Sequence, residues 1–388
     1  MTKNSEKLSV GLVFDDSLDS NDGVAQYVKT LGAWLGNKGH KVTYIVGESK
    51  TNTWGGGQVV SASKNLKIRW AGNRLSMPIW PDKRLIKQLL KTSDFDVLHV
   101  QVPYSPLMAQ YIINRAGKNT KVIGTFHVFP ANNFVSFGSK ILRLIYGRSL
   151  GRISPMLAVS PAASDYASSS FKLKTIICPN VVELARFQVN ETLKKNQPRI
   201  VFLGRLVERK GCMQLLEAFK ELSQKLPNVE LVIAGDGPLR LSLEEYAQRA
   251  GLESRTSFLG FVSEKNKPKL LKSADVACFP SLYGESFGIV LIEAMAAGAG
   301  VVLGGDNPGY RSVLAEQPQL LFDPNDPVEL ANRLHLFLTD KPSAQRMHQW
   351  QIQAVQQYDI NIVGRQILDV YYGQFARTDK KSNNKAHE

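Results

Sequence analysis

Cysteine is scarce in this chain. Cys178, Cys212 and Cys278 are odd in number and lack metal-ligand spacing, so a disulfide framework is not expected and a reducing cytosol is. Long apolar runs are also missing. The longest, Phe287 to Gly305, is interrupted by Glu293 and several glycines, and reads as helix, turn and strand instead of a membrane span. Met1 to Lys7 is polar and has no apolar signal-peptide core. No Ser or Cys nucleophile with a partner is evident, and no His/Asp cluster has metal-ligand spacing. A third glycine is absent after Gly235-Asp236-Gly237, where Arg240 stands, which weighs against a nicotinamide dehydrogenase. Acid is short as well: 34 Asp and Glu against 48 Lys and Arg leave a net charge of +14. Anionic partners follow, whether nucleotide phosphates, an acidic membrane leaflet or nucleic acid. A nucleic-acid binder would use that charge, but the basic residues form no recognisable module with interleaved aromatics.

What is present describes a two-domain α/β protein. At 388 residues and 43% apolar content, two ordinary domains with substantial cores fit best. Short apolar strand candidates alternate with helical patterns, which predicts parallel α/β layers. The first half offers Leu8–Phe14, Lys41–Val46, Val97–Val100, Lys121–Thr125, Met156–Val159 and Thr175–Cys178. The second offers Arg199–Leu203, Glu230–Ala234, Thr256–Leu259, Val276–Phe279 and Gly300–Leu303. A polar stretch from Asn190 to Pro198 suits a linker. Two Rossmann-like halves, 1–195 and 196–360, are expected, and the polar tail at 378–388 is expected to be disordered.

Several polar residues fall just after strands, where open parallel sheets gather ligands. Asp22-Gly23 follows the first strand; Gly23 permits close backbone approach to a phosphate or sugar, and an ordinary strand-to-helix turn explains it equally well. His127 ends Gly124-Thr125-Phe126-His127, and a lone histidine is more often structural than catalytic. Gly204-Arg205-Leu206-Val207-Glu208-Arg209-Lys210-Gly211 puts cations directly after a strand, where Arg205 and Lys210 suit a diphosphate; a solvated loop is the alternative. Gly235-Asp236-Gly237 is explained by turn chemistry, with Pro238 suited to the first turn of a helix.

Two glutamates, Glu285 and Glu293, bracket Ser286-Phe287-Gly288 and an apolar helical pattern. A helix beginning near Ser286 would offer unpaired N–H groups to an anion, with Glu293 about two turns further in. Glutamate in an apolar run is costly without a partner. A separate amphipathic helix is predicted from Pro81 to Lys91. Asp82 suits its N-cap, Leu85, Ile86, Leu89 and Leu90 share one face, and Lys83, Arg84, Lys87 and Lys91 share another. Such a face is either simply solvated or rests on anionic lipid.

With these residues together, the chain resembles the retaining GT-B glycosyltransferases with a paired-glutamate signature, and most nearly the phosphatidylinositol mannosyltransferases among them. The resemblance covers nearly the whole chain and is strongest at Gly204-Arg205…Lys210-Gly211, Gly235-Asp236-Gly237 and Gly284 to Gly298. It implies two Rossmann-like domains facing a cleft, with a last helix, about 361–377, returning to the first. It implies transfer of a sugar, expected to be mannose from GDP-mannose, to a lipid such as phosphatidylinositol; a UDP-sugar with another acceptor is the alternative. No cofactor and no obligatory metal are expected, and the location is the cytoplasmic face of a membrane, peripherally attached. Arg205 and Lys210 would bind the diphosphate, Glu285 with the Ser286-Phe287-Gly288 backbone the sugar and phosphates, and Glu293 the ribose. His127 matches the active-site histidine and Gly23 the phosphate-side loop, where Asp22 stands in place of a second glycine. Gly235 belongs to the donor side, and Lys83, Arg84, Lys87 and Lys91 to the membrane side.

Overall fold

The computed structural model describes residues 7–20, 22–70, 73–105, 107–128, 143–189 and 197–374. The expected linker and domain boundary at 190–196, and the tail at 378–388, lie outside the described residues.

One sheet runs, in spatial order, through Thr175–Ile177, Met156–Ala158, Lys121–Phe126, Val97–Gln101, Ser9–Phe14, Lys41–Val46, Gly57–Ser61 and Thr53–Trp54. All its neighbours are parallel except the last pair, which is antiparallel. The second sheet orders Thr256–Gly260, Glu230–Ala234, Arg199–Leu203, Val276–Phe279, Val301–Gly305 and Leu321–Phe322, all parallel. Every strand expected from the sequence is present within a residue or two. The additional strands are the short pair at 53–61, Leu321–Phe322 and a hairpin of Ser63–Trp70 with Asn73–Pro81. The pair at 53–61 is polar and glycine-broken and Leu321–Phe322 is only two residues long, so neither gives a strand signal; the hairpin does alternate, with Leu66, Ile68 and Trp70 on one strand and Leu75, Met77 and Ile79 on the other, and that pattern was overlooked.

The first sheet is buried on both faces, its central strands being buried along almost their whole length, including the polar His99, Gln101 and Thr125. On one face, Leu12 and Phe14 pack with Leu31 and Leu35 of the helix Gly23–Asn37 and with Val363 and Ile367 of the helix Ile360–Tyr372. On the other, Val13 and Leu98 join a core containing Ile86, Ile112 and Leu150, which continues into the second sheet. The helix Ile360–Tyr372 is tied to the first sheet by polar contacts too. Trp34 Nε1 donates to Asn361 Oδ1 at 3.0 Å, His99 Nδ1 lies 2.7 Å from the Tyr371 hydroxyl, and Lys121 Nζ donates to the Tyr371 carbonyl at 2.8 Å. The helix Lys83–Thr92 begins on Asp82, whose carboxylate accepts from the amides of Arg84 and Leu85. Ile86 is buried there and Lys83, Arg84, Lys87 and Lys91 are exposed.

Candidate active site

The carboxyl edge of the second sheet is built from three loops locked together by backbone contacts. After Arg199–Leu203 the chain passes Arg205 and makes one tight turn, Glu208–Lys210, before the helix Cys212–Lys225. Gly211 joins them at φ +68°, and a Cβ there would stand 1.9 Å from the Pro280 carbonyl oxygen. No other residue fits such an approach. The neighbouring amide of Leu282 donates to the Arg209 carbonyl at 2.8 Å, fixing this loop to the one that carries Glu285.

This locking directs Arg209 Nη1 and Lys210 Nζ onto the same carboxylate oxygen, Oε1 of Glu285, at 2.8 and 2.7 Å. Burial opposes the charge on Glu285, but Lys210 and Arg209 overcome it and hold the carboxyl below its usual range. Burial lowers the Lys210 ammonium, and the neighbouring charges of Arg209 and Arg205 act the same way against Glu285. Burial and Arg209 likewise lower Arg205, while Asp22 and Glu285 offset them. Glu285 thus pairs with two clustered cations, and Arg205 stands beside them under the influence of both Asp22 and Glu285. The surplus of positive charge suits a polyanion, and the fork of an arginine suits a diphosphate.

The glutamate-bearing loop corrects one expectation. The helix begins at Ile289, three residues later than Ser286, because Gly288 at φ +114° cannot continue a right-handed helix. Glu293 therefore lies little more than one turn in, not two. Phe287 turns inward against Tyr358, their ring centroids 5.4 Å apart, so only its backbone is offered to a ligand. The Ser286 carbonyl accepts a hydrogen bond from the Ser160 hydroxyl of the first half. Glu293 is held by Lys267 at 2.8 Å, Lys267 by Glu264 at 2.9 Å, and Glu264 by Arg186 at 2.8 Å. Burial raises the Glu293 carboxyl despite Lys267. That chain answers the cost of an acid in an apolar helix.

Gly235, at φ +136°, packs against the Gly204 carbonyl, where a Cβ would stand 1.8 Å away. Its loop supports the one bearing Arg205, because the Leu206 amide donates to the Asp236 carbonyl at 3.0 Å. The helix after it starts at Arg240, so Pro238 lies before its first turn and not within it.

On the facing edge, Asp22 caps the helix Gly23–Asn37 by accepting from the amides of Val24 and Ala25. A Cβ on Gly23 would come 2.7 Å from Ile289 Cδ1, so the two halves meet here, beside Arg205. His127 is buried beyond the end of Lys121–Phe126. Its Nε2 lies 2.7 Å from Gln101 Oε1 and its ring meets Tyr27 edge-on at 4.9 Å. Burial, with His99 nearby, lowers His127 to about 3, so the imidazole is neutral. Asp15, buried at the end of the first strand, is pushed up to about 7 by burial.

The structure thus gathers Gly23, Arg205, Lys210, Glu285, Ser286 and Gly288 at one junction. Lys83, Arg84, Lys87 and Lys91 stand apart on their own helix. Arg209, Lys267 and Gln101 were missed as partners, although Arg209 was detectable from its place beside Lys210. Among the described residues, no helix is long and apolar enough to cross a membrane.

Known proteins resemble the chain along nearly its whole length. The family described as Glycosyl transferases group 1 matches residues 185–353, and Glycosyltransferase Family 4 matches residues 21–186. A phosphatidyl-myo-inositol mannosyltransferase of Mycolicibacterium smegmatis is 32% identical over 373 residues, covering 94% of this chain and 93% of its own. Its counterpart in Mycobacterium tuberculosis is 31% identical over 377 residues, covering 94% and 96%. Among solved structures, a glycosyltransferase from Rickettsia africae superimposes with a TM-score of 0.73 at 17% identity, covering 95% of this chain and 99% of its own. Anabaena Alr3699/HepE, solved with UDP-glucose, gives 0.74 at 17%, covering 94% and 99%. The fold is GT-B, and the chain belongs to the group 1 glycosyltransferases, in the family that contains the phosphatidyl-myo-inositol mannosyltransferases.

Proposed function

We propose that this glycosyltransferase moves mannose from GDP-mannose to phosphatidylinositol or a closely related lipid, with retention, while resting peripherally on the inner face of a membrane. The observation that carries the reading is the similarity to phosphatidyl-myo-inositol mannosyltransferases across 94% of the chain. The donor diphosphate lies against Arg205 and Lys210, which neutralise the charge that grows on the departing phosphate without need of a metal. Glu285 and the backbone of Ser286 to Gly288 hold the sugar and phosphates, Gly23 approaches from the other half, and Glu293 takes the ribose. An acceptor hydroxyl forms the new bond to the sugar C1 on the face that the diphosphate leaves, and its proton passes to the departing phosphate oxygen. His127, being neutral, faces the transferred sugar as a polar contact and carries no charge to that step.

Purified protein is given GDP-mannose, GDP-glucose, UDP-glucose or UDP-N-acetylglucosamine with vesicles containing phosphatidylinositol, and the lipids are read by mass spectrometry. A mannosylated phosphatidylinositol from GDP-mannose alone is expected. Transfer only from a UDP-sugar, or none to the inositol lipid, overturns the substrate assignment. The membrane contact is assigned to the helix Lys83–Thr92, whose cations are exposed while Ile86 is buried. Changing Lys83, Arg84, Lys87 and Lys91 to Ser should weaken sedimentation with anionic vesicles at low salt and leave GDP binding unchanged. Equal sedimentation of both proteins makes this a solvated surface helix.

A further inference from the structure

Residues 143–150 form a helix on the same side of the first sheet as Lys83–Thr92 and Met108–Arg115, since Ile86, Ile112 and Leu150 share one core. The three elements are joined side by side. The Tyr111 hydroxyl donates to the Lys83 carbonyl at 3.3 Å, and Arg152 Nη1 donates to the Asn114 carbonyl at 2.6 Å. Within 83–92, 107–120 and 143–152 there are nine Lys or Arg and no Asp or Glu.

At the end of this layer, Leu144 is 84% exposed and Ile145 63% exposed, flanked by the exposed Arg143 and Arg148. Trp80, 64% exposed, stands just before the basic helix. Two adjacent branched apolar side chains held out in water are an unusual surface for a folded protein. Leu241 is comparably exposed in the second half, but Glu244 and Glu245 follow it, so no acid-free surface surrounds it. Cations around projecting leucine and isoleucine match an anionic bilayer: phosphate and carboxylate headgroups outside, acyl chains within.

We infer that Leu144 and Ile145 insert into the acyl region of an anionic bilayer, as an apolar wedge distinct from the basic helix. The inference rests on the lipid-surface reading above. It adds a component that salt does not screen, because apolar transfer has no Debye length.

Cys178, Cys212 and Cys278 are buried, so Ile145→Cys can be labelled selectively with a polarity-sensitive fluorophore. Vesicles of phosphatidylcholine and phosphatidylglycerol in equal parts should shift its emission to the blue, and the shift should persist in about 1 M salt. Leu144→Ser with Ile145→Ser should partition roughly thirty-fold more weakly than wild type at that salt. A labelled protein that sediments with vesicles without an emission shift overturns the wedge, as does a double variant that partitions like wild type at high salt. A blue shift with duplex DNA and none with vesicles also overturns it. Absence of wild-type sedimentation at any salt removes the membrane reading itself, a separate result.

Discussion

The two facing edges of the cleft handle polarity in opposite ways. The edge of the second sheet concentrates charge: Arg209 and Lys210 converge on Glu285, with Arg205 beside them. At the edge of the first sheet, burial favours the neutral forms of His127 and Asp15. His127 is lowered to about 3, and Asp15 is raised to about 7. Burial acts on both edges and disfavours charge on both. Opposite charges within hydrogen-bond reach reverse the outcome for Glu285, whereas His127 meets the uncharged Gln101 and Tyr27. The contrast suits a site that takes a charged diphosphate on one side and uncharged hydroxyls on the other.

The contrast breaks most severely at the glycine that shapes the charged edge. Gly211→Ala should cost at least about 3 kcal/mol, because its Cβ must displace a backbone carbonyl from a left-handed conformation. Denaturant melts and loss of GDP binding would register it. Next comes Lys210→Ala, which removes one of the two cations bonded to Glu285. Breaking a buried pair costs on the order of 3 kcal/mol, and GDP affinity should fall with it. Arg205→Ala should instead lose on the order of 1.5–3 kcal/mol of GDP binding, read by calorimetry, with a smaller loss of stability. Equal stability losses in the two variants would erase the distinction between a paired cation and a ligand cation.

The neutral edge has its own signature in pH. His99 and His127 are both lowered to about 3 from 6.5, so the unfolded chain binds more protons between those values. Stability contributed by each is present above about 6.5 and is lost as pH falls toward 3, at up to ~1.4 kcal/mol per pH unit. His127→Asn should flatten the acid limb of stability measured by urea melts at successive pH. It should also suppress transfer while preserving GDP binding, and transfer at the wild-type rate would leave His127 a structural residue. The smallest contrast lies between the two glutamates. Glu293→Gln should chiefly weaken GDP binding, and Glu285→Gln should lower kcat more than GDP affinity. The reversed pattern in steady-state kinetics would exchange their roles.

Much of this was legible along the chain. Arg199–Leu203 and Glu230–Ala234 are bounded as their apolar runs indicated, and Asp82 caps the basic helix as its side chain suggested. These features depend on neighbours within a few residues, so local periodicity and capping chemistry reveal them. The strands at 53–61 gave no such signal, since their glycines and polar residues pair only because a sheet edge is already there. The helix start was misplaced at Ser286 for a related reason: an apolar run does not disclose that Gly288 takes φ +114° under Tyr310.

The sequence by itself determined the alternating α/β order, the anion-seeking charge and the residue types waiting after each strand. Only the tertiary structure decided that Glu285 answers Arg209 and Lys210, that Glu293 is tied through Lys267 and Glu264 to Arg186, and that His127 is uncharged. The reason is physical. Strand and helix formation follow short-range patterns, whereas the ionisation and pairing of a buried group depend on what residues distant in the chain bring within a few ångströms of it.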